Sequence, residues 1–254
     1  MHIFITGGTR GIGHGLVLEF LKFGHHVSFT GTTENGVNKA IKNLKGDVQG
    51  FVCDVRVQSQ IEEASINAIK EYGPIDVWIN NAGVSQVNQY FKDLNEEEIR
   101  HVIDVNIIGM VYGTHIALNL MKKQGYGKIY NMEGLGSNNM MIPKTILYGG
   151  SKRFLSYFSK GVNKELKNDK RIFIGTLQPG MVFTDLLLDN MTKQGMTIAR
   201  ILGSHVEDVT SYLVKKIIKE KRQIKYLTFS KTMWRFLKYP FVHQHKEVMP
   251  KQTE

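Results

Sequence analysis

TGGTRGIG, residues 6–13, is the stretch on which the fold turns. The apolar run HIFIT (2–6) leads into it and reads as a strand. GHGLVLEFLKFG (13–24) leads out of it, with apolar residues at helical spacing up to Gly24. A glycine turn between strand and helix leaves the first N–H groups of the helix free, at its positive dipole end, to meet an anion. Gly7 and Gly11 permit backbone geometries that a Cβ would block, and Gly13 permits close packing of helix on strand. In this context the stretch predicts a dinucleotide pyrophosphate; the plain alternative is a tight turn with no ligand.

Working outward, strand and helix patterns alternate to the end of the chain. HVSFTG (26–31), VQGFVCDV (48–55), IDVWINNAG (75–83), GKIYNM (127–132), RIFIGTLQPG (171–180) and IKYLTF (224–229) read as strands. Helical spacing covers 35–44, 59–73, 96–123, a helix through Tyr148 to about 168, and 206–220. Asn95 followed by three glutamates supplies an N-cap and an anionic first turn. Several strands are nearly continuous apolar runs, as buried parallel strands are. The expected class is α/β: a single Rossmann-type, doubly wound domain of about seven parallel strands with helices on both faces. Residues 1–230 form the catalytic domain in this reading, with a lid at 185–202, and 231–254 form a tail packed on pocket or subunit.

Composition narrows the function classes. The 254 residues carry a formal charge of +10 and one cysteine, Cys53, so an intramolecular disulfide is impossible and a reducing, cytoplasmic setting is expected. MHIFITGG enters a strand at once, which does not read as a signal peptide, and no run of about 18 apolar residues is present to span a membrane. The densest basic run, VKKIIKEKRQIK (214–225), has apolar residues at helical spacing and no aromatics interleaved for base stacking. Nucleic acid is therefore not an expected partner. His243 and His245 are the only histidine pair with metal-like spacing and read as solvated tail, so no metal is expected.

The chemistry lies in YGGSK. Tyr148 and Lys152 are four residues apart, which puts both on one helix face. An ammonium beside a phenol favours phenolate, so a lowered Tyr148 pKa is expected, suiting proton exchange with a carbonyl or hydroxyl oxygen. Beside a nicotinamide this pair would serve reversible carbonyl reduction. For the cofactor, a carboxylate at the end of strand two would hold a ribose 2′-hydroxyl and repel a 2′-phosphate. Gly31, Thr32 and Thr33 stand there, with Glu34 one step later and Arg10 in the glycine turn. NADP(H) is favoured over NAD(H), with Glu34 the argument on the other side.

TGGTRGIG, NNAG (80–83), Asn106 in DVNIIG, YGGSK and PGMVFTD (179–185) stand in the order and rough spacing of the short-chain dehydrogenase/reductase family, which the chain resembles over about residues 2–230. The resemblance implies that Gly7, Thr9, Arg10, Gly11, Ile12 and Gly13 line the pyrophosphate and adenosine end. It places Asp54 and Val55 at the adenine, and Asn81, Ala82 and Gly83 behind the ribose. It gives Lys152 the nicotinamide ribose, and Asn106 a water that relays protons from Lys152. Pro179, Gly180, Val182 and Thr184 would sit beside the nicotinamide. A homodimer or homotetramer is implied as well.

The family's usual serine is displaced. Its place three residues beyond Asn131 holds Gly134, and the count back from Tyr148 lands on Leu135. Ser137 is the nearby candidate, either as a catalytic hydroxyl or as a loop cap; Glu133 and Asn138 are alternatives for the substrate side. NMEGLGS with YGGSK and PGMVFTDLLL looks most like the chlorophyll(ide) b reductase branch, as does the tail IKYLTFSKTMWRFLKYP. That likeness implies formyl-to-hydroxymethyl reduction on a bulky ring system.

At the substrate end, Leu186, Leu187, Leu188, Met191, Met196, Ile198, Ile201 and Leu202 in the lid, with Met140, Met141 and Ile142, suggest a large apolar carbonyl substrate; packing of the lid on the core is the alternative. KTMWRFLKYPFVHQH (231–245) mixes aromatic and basic residues and suits subunit or pocket packing before peripheral membrane contact. The rival from another class is a non-catalytic nucleotide-binding sensor or scaffold, prompted by the irregular serine.

Overall fold

A computed structural model describes residues 1–166, 169, 171–189 and 192–242. The chain runs β1 (His2–Ile5), α1 (Gly11–Lys22), β2 (His26–Gly31), α2 (Glu34–Lys42), β3 (Val48–Val52), α3 (Gln58–Tyr72) and β4 (Val77–Asn80). It continues through α4 (Glu96–Ile103), α5 (Met110–Gln124), β5 (Gly127–Met132), α6 (Ile146–Glu165) and β6 (Ile172–Gln178). The last part holds β7 (Met181–Val182), α7 (Asp185–Leu188), α8 (Lys193–Leu202), β8 (Gly203–Ser204), α9 (Val206–Ile218), β9 (Gln223–Lys225) and α10 (Phe229–Val242). Seven strands form one parallel sheet in the order β3-β2-β1-β4-β5-β6-β9. The order reverses direction between β1 and β4, and a doubly wound sheet opens a crevice at that point, beyond the strand C-termini.

Alternation along each strand splits the core in two. Ile3, Ile5, Val77 and Ile79 face Leu16, Val17 and Phe20 of α1 and Val209, Leu213 and Ile217 of α9. Phe4, Trp78 and Ile129 face Ile61, Ala64 and Ala68 of α3 and Ile116, Ala117 and Met121 of α5. Phe4 and Trp78 stack with ring centroids 4.2 Å apart. This is the two-faced burial that makes parallel strands read as apolar runs.

The structure differs from the sequence reading in particular places. The expected helix 96–123 is broken by a π-helical stretch, Asp104–Gly109, which adds residues to a turn without any proline or glycine signal at its start. Its N-terminus is as expected, a capping box in which Asn95 Oδ1 accepts from Glu98 N at 2.8 Å and Glu98 Oε2 accepts from Asn95 N at 2.9 Å. The run Glu96–Gln124 is long and apolar enough to cross a membrane by length and composition alone, as core helices also are, and half of its most apolar window is buried in the fold. The lid separates into α7 and α8, and β8 after it pairs with β7. The seventh strand stops at Lys225 because Phe229 opens α10. Met191, residues 167–168 of the expected helix end, and 243–254 of the tail with His243 and His245 lie outside the described residues.

Candidate active site

The glycine turn is held to the end of β4. Asn81 Nδ2 donates to Thr6 O at 3.1 Å and Gly7 O at 2.9 Å, while the N–H groups of Asn81 and Ala82 both donate to Thr6 Oγ1 at 3.1 Å. A Cβ on Gly13 would lie 2.0 Å from Gly7 O, so only glycine lets α1 approach this closely. Gly7 and Gly11 take φ of +68° and +55°, as the sequence leads one to expect. Arg10 is the N-cap of α1 but makes no side-chain capping bond, and the first turn holds no carboxylate. Among the described residues no capping side chain or first-turn carboxylate meets the first N–H groups, an arrangement that fits an anionic pyrophosphate. Ile12 packs on the core, Thr9 lies against Gly31, and Arg10 and Thr32 are exposed. Thr33 caps α2, its Oγ1 accepting from Gly36 N at 3.1 Å, and Glu34 opens that helix, exposed.

Two further groups stand at the end of β3. Val55 is buried, and Asp54 is gripped by Arg56, whose Nε and Nη2 donate to its carboxylate at 2.6–3.0 Å. Those bonds hold the Asp54 pKa below its usual value. An adenine at Asp54 would meet a carboxylate already paired with Arg56, two residues on in the same loop.

Across the crevice, the loop after β6 returns to the turn. Gly180 adopts φ +76°, Pro179 and Val182 are buried, and Thr184 Cγ2 lies 3.4 Å from where a Cβ on Gly11 would stand. Residues 6–13 and 179–184, far apart in sequence, thus flank one space.

Tyr148 and Lys152 sit one turn apart on α6, as their spacing predicts. Lys152 is buried; its Nζ donates to Met132 O at 3.3 Å and lies 5.7 Å from the Tyr148 ring centroid. The Tyr148 hydroxyl rests over Gly134, where a Cβ would be 2.6 Å from it. Of the two counts for the family's usual serine, the one that lands on Gly134 thus falls against the Tyr148 phenol. The expected lowering of the Tyr148 pKa is corrected: burial pushes the phenol up to about 12. Burial likewise brings Lys152 down to about 8, opposed by the charge of Glu133. With its bond made to Met132 O, Lys152 does not offset the desolvation of the resting phenol.

Ser137 is buried beneath this pair. Its Oγ donates to Gly134 O at 2.7 Å and accepts from Gln178 Nε2 at 3.1 Å, so its one proton is engaged within the loop. Glu133, also buried, accepts from Ser156 Oγ at 2.7 Å, one turn along α6 from Lys152. Asn138 is exposed and accepts from Met140 N at 3.2 Å. Asn106 lies in the π-helical stretch; its Oδ1 accepts from Val84 N at 2.8 Å, and its Nδ2 donates to Val84 O at 2.9 Å and Ser151 Oγ at 3.1 Å. A Cβ on Gly83 would stand 3.3 Å from both Asn106 Oδ1 and Lys152 Nζ, so the two side chains flank that glycine.

Two arrangements escaped the sequence. Gln86, buried, caps α6: its Oε1 accepts from Leu147 N at 2.8 Å and Tyr148 N at 3.2 Å, where the N-cap Thr145 offers no side-chain bond. Its Nε2 donates to Lys144 O at 2.7 Å, holding a lysine at φ +65°. The partners are about sixty residues apart, so no local pattern announces them. The second is a buried polar chain: Trp78 Nε1 donates to Asn80 Oδ1 at 2.8 Å, Asn80 Nδ2 to Asn131 Oδ1 at 2.8 Å and Thr114 Oγ1 at 3.0 Å, and Asn131 Nδ2 to Ser159 Oγ at 3.0 Å.

Around the opening, Met140, Met141, Ile142, Leu186 and Ile198 are exposed, while Leu187, Leu188, Met196, Ile201 and Leu202 are partly buried. Both readings of the lid, substrate lining and packing, keep residues of their own.

The family profile described as short chain dehydrogenase matches residues 1–195. Chlorophyll(ide) b reductase NOL, chloroplastic, of Arabidopsis thaliana is 35% identical over 227 residues, which span 85% of this chain but only 65% of that protein. The closed form of serine dehydrogenase complexed with NADP+ matches with a TM-score of 0.78 at 24% identity, covering 89% of this chain and 94% of that one. 3-Ketoacyl-(acyl-carrier-protein) reductase from Brucella melitensis complexed with NADH matches with 0.77 at 20% identity, covering 91% and 92%. These two structures show the fold, and they hold different dinucleotides.

Gln86→Ala should leave two N–H groups of α6 without their acceptor, lowering unfolding free energy by about 1–3 kcal/mol in urea titrations. An unchanged midpoint and slope would remove Gln86 from this role. Glu133→Gln should move the Lys152 titration below about 8, because the carboxylate that favours the ammonium is gone. NMR of ε-carbon-labelled lysine reads that midpoint, and a static or rising value would contradict the assignment.

Proposed function

The chain belongs to the short-chain dehydrogenase/reductase family of oxidoreductases, and from that membership we propose that it reduces a bulky, apolar aldehyde or ketone with NADPH. The observation that carries the reading is geometric: the Tyr148 phenol stands over Gly134 at the crevice, one helical turn from buried Lys152, whose Nζ lies 5.7 Å from its ring centroid. A protonated phenol is what carbonyl reduction needs from its general acid.

In this reading the uncapped start of α1 and the glycine turn bind the pyrophosphate, with Pro179, Gly180, Val182 and Thr184 across from it. NADPH, when bound, supplies a hydride. Tyr148 gives its proton to the carbonyl oxygen, and the Lys152 ammonium stabilises the phenolate left behind and holds ribose hydroxyls. Asn106 orients a water that links Lys152 to solvent, and a solvent proton passed along it through Lys152 restores the phenol. Ser137 donates to the substrate oxygen once its hydroxyl turns from Gly134 O. Arg10 and Thr32 take a 2′-phosphate, supported by the position of Glu34 in the first turn of α2 and not at the end of β2. Exposed Met140, Met141, Ile142, Leu186 and Ile198 support an apolar substrate, of which the chlorophyll(ide) of the plant relative is one example of the size class. Assembly as a homodimer or homotetramer belongs to the same proposal.

Calorimetric titration with NADPH and NADH should show tighter NADPH binding, and bulky aldehydes and ketones should then oxidise bound NADPH. Tyr148→Phe should cost more than about 100-fold in kcat while cofactor binding survives. Full turnover in that variant would sink the mechanism; tighter NADH would assign the pocket to Glu34. Cofactor binding with no turnover on any carbonyl would favour the nucleotide-sensor alternative, for which the engaged proton of Ser137 already argues.

A further inference from the structure

The last described helix leaves an apolar face in water. α10 is fastened to the end of the lid: Arg235 Nη1 donates to Leu202 O at 2.6 Å and Gly203 O at 3.1 Å, and Nη2 donates to Ser204 Oγ at 2.8 Å. Lys231, Thr232, Arg235 and Tyr239, spaced by one helical turn, are the partly buried side. The rest of the helix presents Phe229, Met233, Trp234, Phe236 and Leu237, exposed by 83, 45, 56, 45 and 68%. Single apolar side chains at a surface are ordinary, but five on one helix form a patch that something covers.

Charge decides among the covers. From Lys221 to Val242 the chain carries Lys221, Arg222, Lys225, Lys231, Arg235 and Lys238, and no aspartate or glutamate. α8, against which α10 packs, adds Arg200 and again no carboxylate. A second copy seated face to face would set cations against cations. An anionic surface is complementary, and its anions must come with an apolar layer to take up Phe229, Met233 and Leu237. Lys238 Nζ lies 3.9 Å from the Trp234 ring centroid, joining an aromatic body to a cationic tip, a combination suited to the boundary between headgroups and acyl chains. A convex helix with large apolar residues and flanking lysines, free of carboxylates, fits a plane of anionic lipid better than a pocket in an acidic protein.

We propose that α10 seats this protein on anionic lipid, with Phe229, Met233, Trp234 and Leu237 entering the acyl boundary and the basic residues of 221–238 meeting headgroups. The lid helix α8 is then held at the bilayer surface through Arg235. Apolar carbonyls dissolved in that bilayer would enter beside the lid; this step rests on the catalytic reading, whereas docking does not.

The test uses the full chain without substrate or cofactor. Vesicles of phosphatidylcholine, alone or mixed with phosphatidylglycerol, are sedimented with the protein while tryptophan emission is recorded. The chain has two tryptophans. Trp78 is fully buried and Trp234 is not, so a vesicle-induced change reports α10. Expected results are co-sedimentation with the anionic vesicles only and emission moved to shorter wavelength. Trp234→Phe should abolish the spectral change and keep binding. Trp234→Ala with Leu237→Gln should weaken binding roughly tenfold or more, with the thermal midpoint and circular dichroism unaltered. Three results would overturn the proposal. One is no binding to either vesicle. Another is binding without a Trp234 shift, as for charge attraction alone. The third is light-scattering mass that falls in the double variant with no vesicle binding, which would assign the face to a second copy.

Discussion

The amide of Asn80 ties β4, β5 and α5 together at the height of the site. It accepts from Trp78 on its own strand and donates to Asn131 on β5 and Thr114 on α5, and Asn131 reaches on to Ser159 of α6. Each bond is buried, where an unmade partner costs about 1–3 kcal/mol. The chain therefore fixes the height of α6 against the ends of β4 and β5. Gly113 lets α5 come near enough, since a Cβ there would stand 2.2 Å from Asn80 Oδ1. The position of Tyr148 and Lys152 over Gly134 follows from this anchoring, and so does the place of Gly83 between Asn106 and Lys152.

Electrostatics in the crevice is governed by water exclusion. Burial acts on the phenol and the amine in opposite senses, keeping the first protonated and easing the second toward neutrality. Glu133 is the countervailing charge, itself buried and steadied by Ser156. At the other end the first turn of α1 has positive character and no carboxylate to quench it. The site is thus built from a region that wants an anion and a region that keeps a proton.

Much of the architecture was legible because parallel strands buried on both faces are written as short apolar runs, and because glycine turns separate them. HIFIT, HVSFTG and GKIYNM each map onto a strand, and TGGTRGIG onto the turn before α1. The spacing of Tyr148 and Lys152 was legible for the same reason, since helix geometry is local. What escaped depends on distant partners. Gln86 caps α6 across some sixty residues, and Glu133 meets Ser156 only after β5 and α6 pack. The phenol's raised pKa is a property of burial, which a Tyr–Lys spacing cannot express. The π-helical stretch around Asn106 likewise has no mark in DVNIIG that an α-helix would not also carry.

Gly134 carries a consequence for how such a site changes over time. Its missing side chain is the room that the Tyr148 oxygen occupies. A serine there would bring a Cβ to 2.6 Å from that oxygen, so the end of the Tyr148 side chain would have to move aside. Any side chain gained at 134 would meet the phenol before it met a substrate, so this one glycine sets where the oxygen of Tyr148 can stand.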